Sequence, residues 1–319
     1  MNPKNDYLRD CLGITAWHKA GYTGSRGLTA SGEDFTTASP YAHEYLSYAA
    51  FKEVAPDREV IYVPYDDFDA LIEVSQKADT IFVSRSNYSF PKESREKIDG
   101  GIDSCTTMFM SAGNHDDDKY NLYLKADHIY GVGAAELIAS KMVNGVPTKN
   151  ATYTLMSKAY SSITEYIDFS CLTNWKLISG NREDTFTGTS CACPVLCGMA
   201  ALINDMAIHK TGASLPDSGM IQALKDISVD MNTEGHDSKT GWGIPILPPP
   251  DQFDIFKYQE AKMLDFKDKD SISVWALDAV EYCANLGIVR GDSENTFRPQ
   301  DPVTREELCV IIKRMMDLE

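Results

Sequence analysis

Phe186-Thr-Gly-Thr-Ser190-Cys-Ala-Cys-Pro-Val-Leu-Cys-Gly-Met-Ala-Ala-Leu-Ile203 is the most informative stretch of the chain. Gly188-Thr189-Ser190 reads as a tight turn that opens a long apolar helix. A serine there sits on the positive end of the helix dipole, beside backbone N–H groups that have no partner inside the helix. That place favours a nucleophile whose attack creates an oxyanion. It also favours a plain N-cap, because serine is a preferred capping residue. Cys191, Cys193 and Cys197 follow in a C-x-C-x₃-C spacing with no His nearby. That is not a usual zinc pattern, so small buried thiols are expected rather than a metal.

Upstream of this stretch, Val60-Ile-Tyr-Val63, Thr80-Ile-Phe-Val83 and Thr107-Met-Phe-Met110 are short apolar runs that suit buried strands. Asp67 to Lys77 lies between the first two and has helical apolar spacing. The alternation predicts right-handed βαβ units around a parallel sheet. Downstream, Pro248-Pro249-Pro250 predicts a stiff extended linker over 248–253. It would divide a domain at 1–247 from a smaller unit at 254–319. In that unit Val274 to Leu286 and Thr304 to Met316 each have helical periodicity, on either side of the turn-rich GDSENTFRPQDP.

The 319 residues are 43% hydrophobic and 24% charged, which excludes a disordered, collagen-like or heptad-dominated chain. Acidic residues number 47 against 30 basic, a net charge of −17. That argues against nucleic acid as a partner, which needs a basic footprint. No apolar run reaches the roughly 18 residues of a membrane span. The opening MNPKNDYLRDCLGITAW lacks a basic region followed by an apolar one, so synthesis and folding in the cytoplasm are expected. Eight scattered cysteines are then expected to be reduced.

Gly188, Thr189, Ser190, Ala192, Pro194, Gly198 and Ala201 together resemble the serine signature of the subtilisin-like proteases, the subtilases of peptidase family S8, with Cys191 where Met is usual. Phe109-Met-Ser-Ala-Gly-Asn114 resembles the segment that supplies that family's oxyanion-hole asparagine. Ile129-Tyr-Gly-Val-Gly-Ala134, Ile167-Asp-Phe-Ser170 and Thr240-Gly-Trp-Gly243 resemble further strands and turns of the same domain. The resemblance implies an α/β fold, a subtilisin-like parallel-sheet sandwich with helices on both faces. It implies a serine endopeptidase acting on peptide or protein substrates.

Residue roles follow from the same resemblance. Val54-Ala55-Pro56 resembles the motif after the catalytic-histidine helix, and eleven residues before Val54 stands His43. His115, beside Asn114, is the second candidate base. Gly21-Tyr-Thr-Gly24 and Gly27-Leu28 match the approach to the acid-bearing strand; seven residues past Gly27 lies Asp34, with Glu33 the alternative. Ser190 would attack, His43 would carry the proton, Asp34 would orient His43, and Asn114 with the Ser190 N–H would hold the oxyanion. Val83-Ser84-Arg85-Ser86 resembles the strand that pairs with an extended substrate, so Ser84, Arg85 and Ser86 are expected at the peptide. Leu28 to Phe35 is more polar than a core strand, and only His43 remains of the family's histidine motif. A catalytically weakened subtilase-fold binding or assembly protein is the alternative.

Phe266-Lys-Asp268, Trp275, Ala279-Val280, Tyr282, Leu286-Gly-Ile-Val-Arg-Gly291, Thr296-Phe-Arg-Pro299 and Pro302-Val-Thr-Arg-Glu306 resemble one S-layer homology (SLH) repeat. Gly287 would end its first helix and Thr304 would cap the second, with Glu307 at the capping-box position. Such repeats usually come in threes and bind pyruvylated secondary cell wall polysaccharide. A single one implies either a trimerising unit or a docking module on that polymer. Phage-borne or lysis-released delivery would reconcile a Gram-positive envelope with a chain lacking a leader. No cofactor is implied; calcium suits the acidic surface but has no assignable residues.

Overall fold

The structure, a computed structural model, describes residues 1–85, 92–114, 128–140, 142–143, 146–147, 153–157, 166–259, 266–273, 276, 280, 283–284, 288–292 and 295–316. The chain forms two compact units. The first comprises Met1–His209 and Ala213–Tyr258, the second Lys210–Gly212 and Gln259–Glu319.

Two short helices, α1 (Asp6–Cys11) and α2 (Ile14–Lys19), open the first unit. Strands β1 (Leu28–Ser31), β2 (Glu59–Tyr62), β3 (Thr80–Val83), β4 (Thr107–Ser111) and β5 (Ile129–Ala139) follow. Between them lie α3 (His43–Val54), α4 (Phe68–Ser75) and α5 (Lys92–Gly101). A small hairpin of β6 (Met142–Val143) and β7 (Val146–Pro147) precedes β8 (Tyr153–Ser157) and β9 (Ile167–Leu172). The strand order is β2-β1-β3-β4-β5-β8, with β9 also on β5. All of these pairs are parallel except β5 with β8. A second hairpin, β10 (Trp175–Ser179) with β11 (Arg182–Phe186), leads into α6 (Thr189–Thr211). Helix α7 (Asp217–Asp226) and the pair β12 (Ser228–Val229) and β13 (Ile244–Pro245) complete the unit. The parallel α/β architecture read from the alternating runs is therefore the one observed.

The central strands are apolar throughout because both faces of the sheet are covered. Ile81 and Val83 of β3, with Met108 and Met110 of β4, meet Leu71 of α4 and Ile98 of α5. Phe82 and Phe109 alternate to the other face, against α3 and α6. There Phe51 stacks on Phe82 with ring centroids 5.3 Å apart. Each such side chain contributes roughly 1.5–3 kcal/mol on burial. Helix α6 is long and apolar enough to cross a membrane by length alone, yet it is a buried core helix. A Cβ on its Gly198 would stand 2.7 Å from the Val54 Cβ, so glycine there allows α3 to pack closely.

Strand β1 is a core strand despite its polar composition, because its hydroxyls are partnered. Thr29 Oγ1 shares a hydrogen with Thr80 Oγ1 at 2.8 Å and accepts from Arg58 Nε at 3.0 Å. Arg58 is buried, ion-paired with Asp79, and donates to the Leu28 carbonyl at 3.1 Å.

The expected linker differs. The Pro248 carbonyl accepts from Trp17 Nε1 at 2.8 Å, and Pro250–Gln252 is a short 3₁₀ turn. Phe253, Ile255 and Tyr258 are buried in the first unit's core. The division between units falls after Tyr258 rather than at 247, because those three side chains carry the chain back onto α2 and α7.

In the second unit Phe266 and Ile272 form a small core with Ala276, Val280, Ala284 and Phe297. Trp275, Tyr282 and Gly287 lie outside the described residues. Helix α8 (Arg305–Met316) opens on the expected capping box. Glu307 N donates to Thr304 Oγ1 at 3.1 Å, and Thr304 N donates to Glu307 Oε2 at 2.8 Å.

Candidate active site

The β11–α6 turn places Ser190. Gly188 has φ 90°, a left-handed conformation that favours glycine. A Cβ at Gly188 would also lie 3.2 Å from both Asn114 amide heteroatoms. The chain can thus turn into α6 only with that residue bare. Thr189 N then donates to Asn114 Oδ1 at 3.0 Å, and Thr189 Oγ1 donates to the same oxygen at 3.2 Å. Gly113 N donates to Thr189 Oγ1 at 3.2 Å. A backbone N–H can only donate, so the Asn114 oxygen is fixed on Thr189 and its NH₂ is left to donate elsewhere. Ser190 Oγ donates to the Ser84 carbonyl at 2.8 Å rather than to an imidazole. Pro194 lies four residues after Ser190 within α6 and has no N–H to give the Ser190 carbonyl.

His43 is the first residue of α3. Its ring stands edge-on to Phe186, centroids 5.6 Å apart at 77°. Phe186 ends β11, so the hairpin that leads to Ser190 also sets the imidazole. Glu33 Oε1 lies 3.3 Å from His43 Nδ1, and the Glu33 side chain is 1% exposed.

Asp34, expected to face His43, does not. It is half-buried and accepts from the hydroxyls and N–H groups of Thr36 and Thr37. Those two hydroxyls, above all, hold its carboxyl down at about 2. The correction has a local cause. Strand β1 ends at Ser31, so the alternation of faces stops before residues 33 and 34. Ser31 Oγ then donates to the Glu33 carbonyl at 3.0 Å and accepts from Glu33 N at 3.3 Å, which turns Glu33 inward.

Arg85 was expected at the substrate; the structure sets it across two carboxylates. Its Nε donates to Glu33 Oε1 at 2.6 Å, and its Nη2 pairs with Glu44 Oε1. A cavity of about 380 Å³ opens here, bordered by Glu33, Asp34, Glu44, Tyr65 and Arg85. Ser86 and His115 lie outside the described residues. Sequence reading gave no role to Glu44, to Phe186 as the ring against the imidazole, or to Thr189 as the partner of Asn114. Glu44 adjoins the candidate base and Thr189 the candidate nucleophile, and their neighbours were the only available signal. The sulfurs of Cys191, Cys193 and Cys197 are buried and form no disulfide. Burial pushes the Cys191 thiol up to about 12 and the other two well above the usual thiol range.

Comparison with known proteins bears on the fold that carries these residues. Residues 70–243 match the subtilase family, and residues 265–309 match the S-layer homology domain. The subtilase match begins after Glu33 and His43. The amylopullulanase of Thermoanaerobacterium thermosulfurigenes is 37% identical over 62 residues, 19% of this chain and 3% of that protein. Exoglucanase XynX of Acetivibrio thermocellus is 36% identical over 62 residues, 19% of this chain and 6% of that protein. The chain thus spans only a small fraction of these relatives. Among solved structures, a lanthipeptide protease superposes with TM-score 0.57 at 16% identity, covering 75% of this chain and 93% of its own. Fervidolysin of Fervidobacterium pennivorans, a keratinolytic enzyme related to subtilisin, gives 0.55 at 15% identity, covering 75% and 44%. Sharing that fold, and matched over more than half its length, the chain belongs to the subtilase family.

Proposed function

We propose that the chain is a serine endopeptidase with a Glu33–His43–Ser190 triad. The observation that carries this reading is the buried Glu33 carboxylate 3.3 Å from His43 Nδ1, on the family's nucleophile fold. Ser190 attacks the scissile carbonyl. His43 takes its proton through Nε2, while Glu33 holds the Nδ1–H tautomer and stabilises the imidazolium. The Asn114 NH₂ and the Ser190 N–H hold the oxyanion. In the resting arrangement the Ser190 hydroxyl is on the Ser84 carbonyl, an acceptor that an incoming extended peptide would take by strand addition. Binding substrate therefore frees the nucleophile for His43. Catalytic hydrogen bonds commonly tighten only in such a complex.

The second unit is proposed to attach the protein to the cell envelope. Its cavity of about 500 Å³ is bordered by three arginines and four carboxylates; Arg298 is paired with Glu307, and Arg290 and Arg314 are the cations proposed to meet the carboxylates of a pyruvylated wall polysaccharide. Trimerisation through this repeat has no support in the fold.

A fluorophosphonate probe tests the peptidase reading. Labelling of the folded protein, lost on Ser190→Ala, is the expected result. The Arg85 pair on Glu33 favours a second reading, a weakened subtilase that holds peptide without cleaving it. No labelling of the folded protein would select it.

A further inference from the structure

Glu33, His43 and Glu44 each bring one donor atom to a common space, and these atoms all lie within 4.8 Å of one another. Tetrahedral zinc with bonds of about 2.0–2.1 Å sets neighbouring donors about 3.3 Å apart. The His43 Nδ1 to Glu33 Oε1 separation is 3.3 Å. Among the described residues the buried Glu33 Oε2 makes no hydrogen bond, and His43 Nδ1 faces only the other Glu33 oxygen, at 3.3 Å. The Glu33 side chain is 1% exposed, so leaving its second oxygen without a partner is costly. The Arg85 guanidinium now bridges Glu33 and Glu44, and a positive charge is thus already drawn between the two carboxylates. The cavity beside Glu33, Glu44 and Arg85 provides an entry path.

We propose that Glu33, His43 and Glu44 form a zinc site, with Arg85 as the cation that zinc displaces. The ligand set is one imidazole and two carboxylates, with water in the fourth position. Imidazole favours zinc over the hard cations calcium and magnesium. The site is inhibitory, a consequence that rests on the peptidase reading. Zinc on Nδ1 fixes the neutral imidazole with its hydrogen on Nε2. That nitrogen then has no lone pair for the Ser190 proton.

The test titrates zinc ion alone against the Ser190→Ala protein, by calorimetry and by competition with a chromophoric chelator. One equivalent should bind. Adding Glu44→Gln should weaken binding by about tenfold or more, and adding Arg85→Ala should tighten it by about tenfold, since loss of one neighbour in a metal shell commonly shifts affinity by 10–100-fold. A misfolded variant would not bind more tightly, so the two opposite shifts separate the site from general damage. In the active protein zinc should block hydrolysis, and Glu44→Gln, measured against its own zinc-free rate, should need about ten times more zinc for the same fractional block. Calcium and magnesium should not compete. Zinc affinity unmoved by both substitutions, or no binding up to about 1 mM, overturns the site. Failure of all hydrolysis would remove the peptidase reading alone, because the Ser190→Ala titration still decides whether zinc binds.

Discussion

Replacing Glu33 by Gln should cripple turnover, whereas replacing Asp34 by Asn should barely change it. Glu33 Oε1 lies 3.3 Å from His43 Nδ1. At an effective dielectric of about 20 a charge pair at that distance is worth about 5 kcal/mol. At 1.36 kcal/mol per decade this is between three and four powers of ten in rate, close to the ~10⁴ the trypsin-type triad loses on the matching change. Arg85 strengthens the effect. Its Nε donates to the same oxygen, so in Glu33→Gln its charge would stand unneutralised beside the imidazolium. Among the described residues Asp34 hydrogen-bonds Thr36 and Thr37, and Asn would keep the Oδ1 acceptor for both N–H groups while losing the Thr37 hydroxyl bond on Oδ2. A change under about threefold is expected there, as for surface sites away from the chemistry. The assay is kcat/KM on a quenched peptide, with thermal melts to confirm folding. A crippled Asp34→Asn beside a Glu33→Gln that keeps more than a tenth of the activity would refute the assignment.

Further tests reach the oxyanion donor, the unit boundary and the buried acid cluster. Asn114→Ala should lower kcat about 10²–10³-fold. Gly188→Ala should fall in the same range, since its Cβ would press on the Asn114 amide; initial rates on one substrate compare the two. A chain ending at Leu247 loses Phe253, Ile255 and Tyr258 and should be destabilised by on the order of 5 kcal/mol, whereas one ending at Tyr258 should keep its melting temperature and activity; thermal shift decides. Burial, chiefly, pushes Asp168 up to about 6 from 3.8, with Asp217 adding to it. The folded state then holds this proton more tightly than the unfolded chain. Its contribution is present below pH ~4 and is lost as pH rises to ~6, up to about 3 kcal/mol in all. Urea melts at pH 4 and 7 should show Asp168→Asn with a flatter dependence than the parent.

The parts of the site that sequence made legible are those with tight steric demands. Thr189 holds Asn114 at 3.0–3.2 Å, and a side chain at Gly188 would press on the same amide, so few other residue types fit around Ser190. His43 was legible by its distance from Val54, because α3 is an uninterrupted helix between them. The acid was not, since the counting that separates Glu33 from Asp34 assumed a strand that ends at Ser31. The turn made by the Ser31 hydroxyl chooses between them, and a hydroxyl two residues before a carboxylate carries no pattern. Glu44 was illegible as part of the site, because Arg85 joins it to Glu33 from 41 residues away. The prolines at 248–250 suggested a spacer; the apolar Phe253, Ile255 and Tyr258 just beyond them decided otherwise.

The polar wiring of β1 bears on how this lineage can change. Thr29, Arg58, Thr80 and Asp79 satisfy one another in a buried place. Replacing any one alone leaves a donor or acceptor with no partner, a loss of about 1–3 kcal/mol, more for the charges. The four positions are therefore inherited as a block, and aligned descendants should covary there. A chimera that grafts an apolar first strand from another subtilase would fail unless the segments bearing Arg58 and Asp79 travel with it.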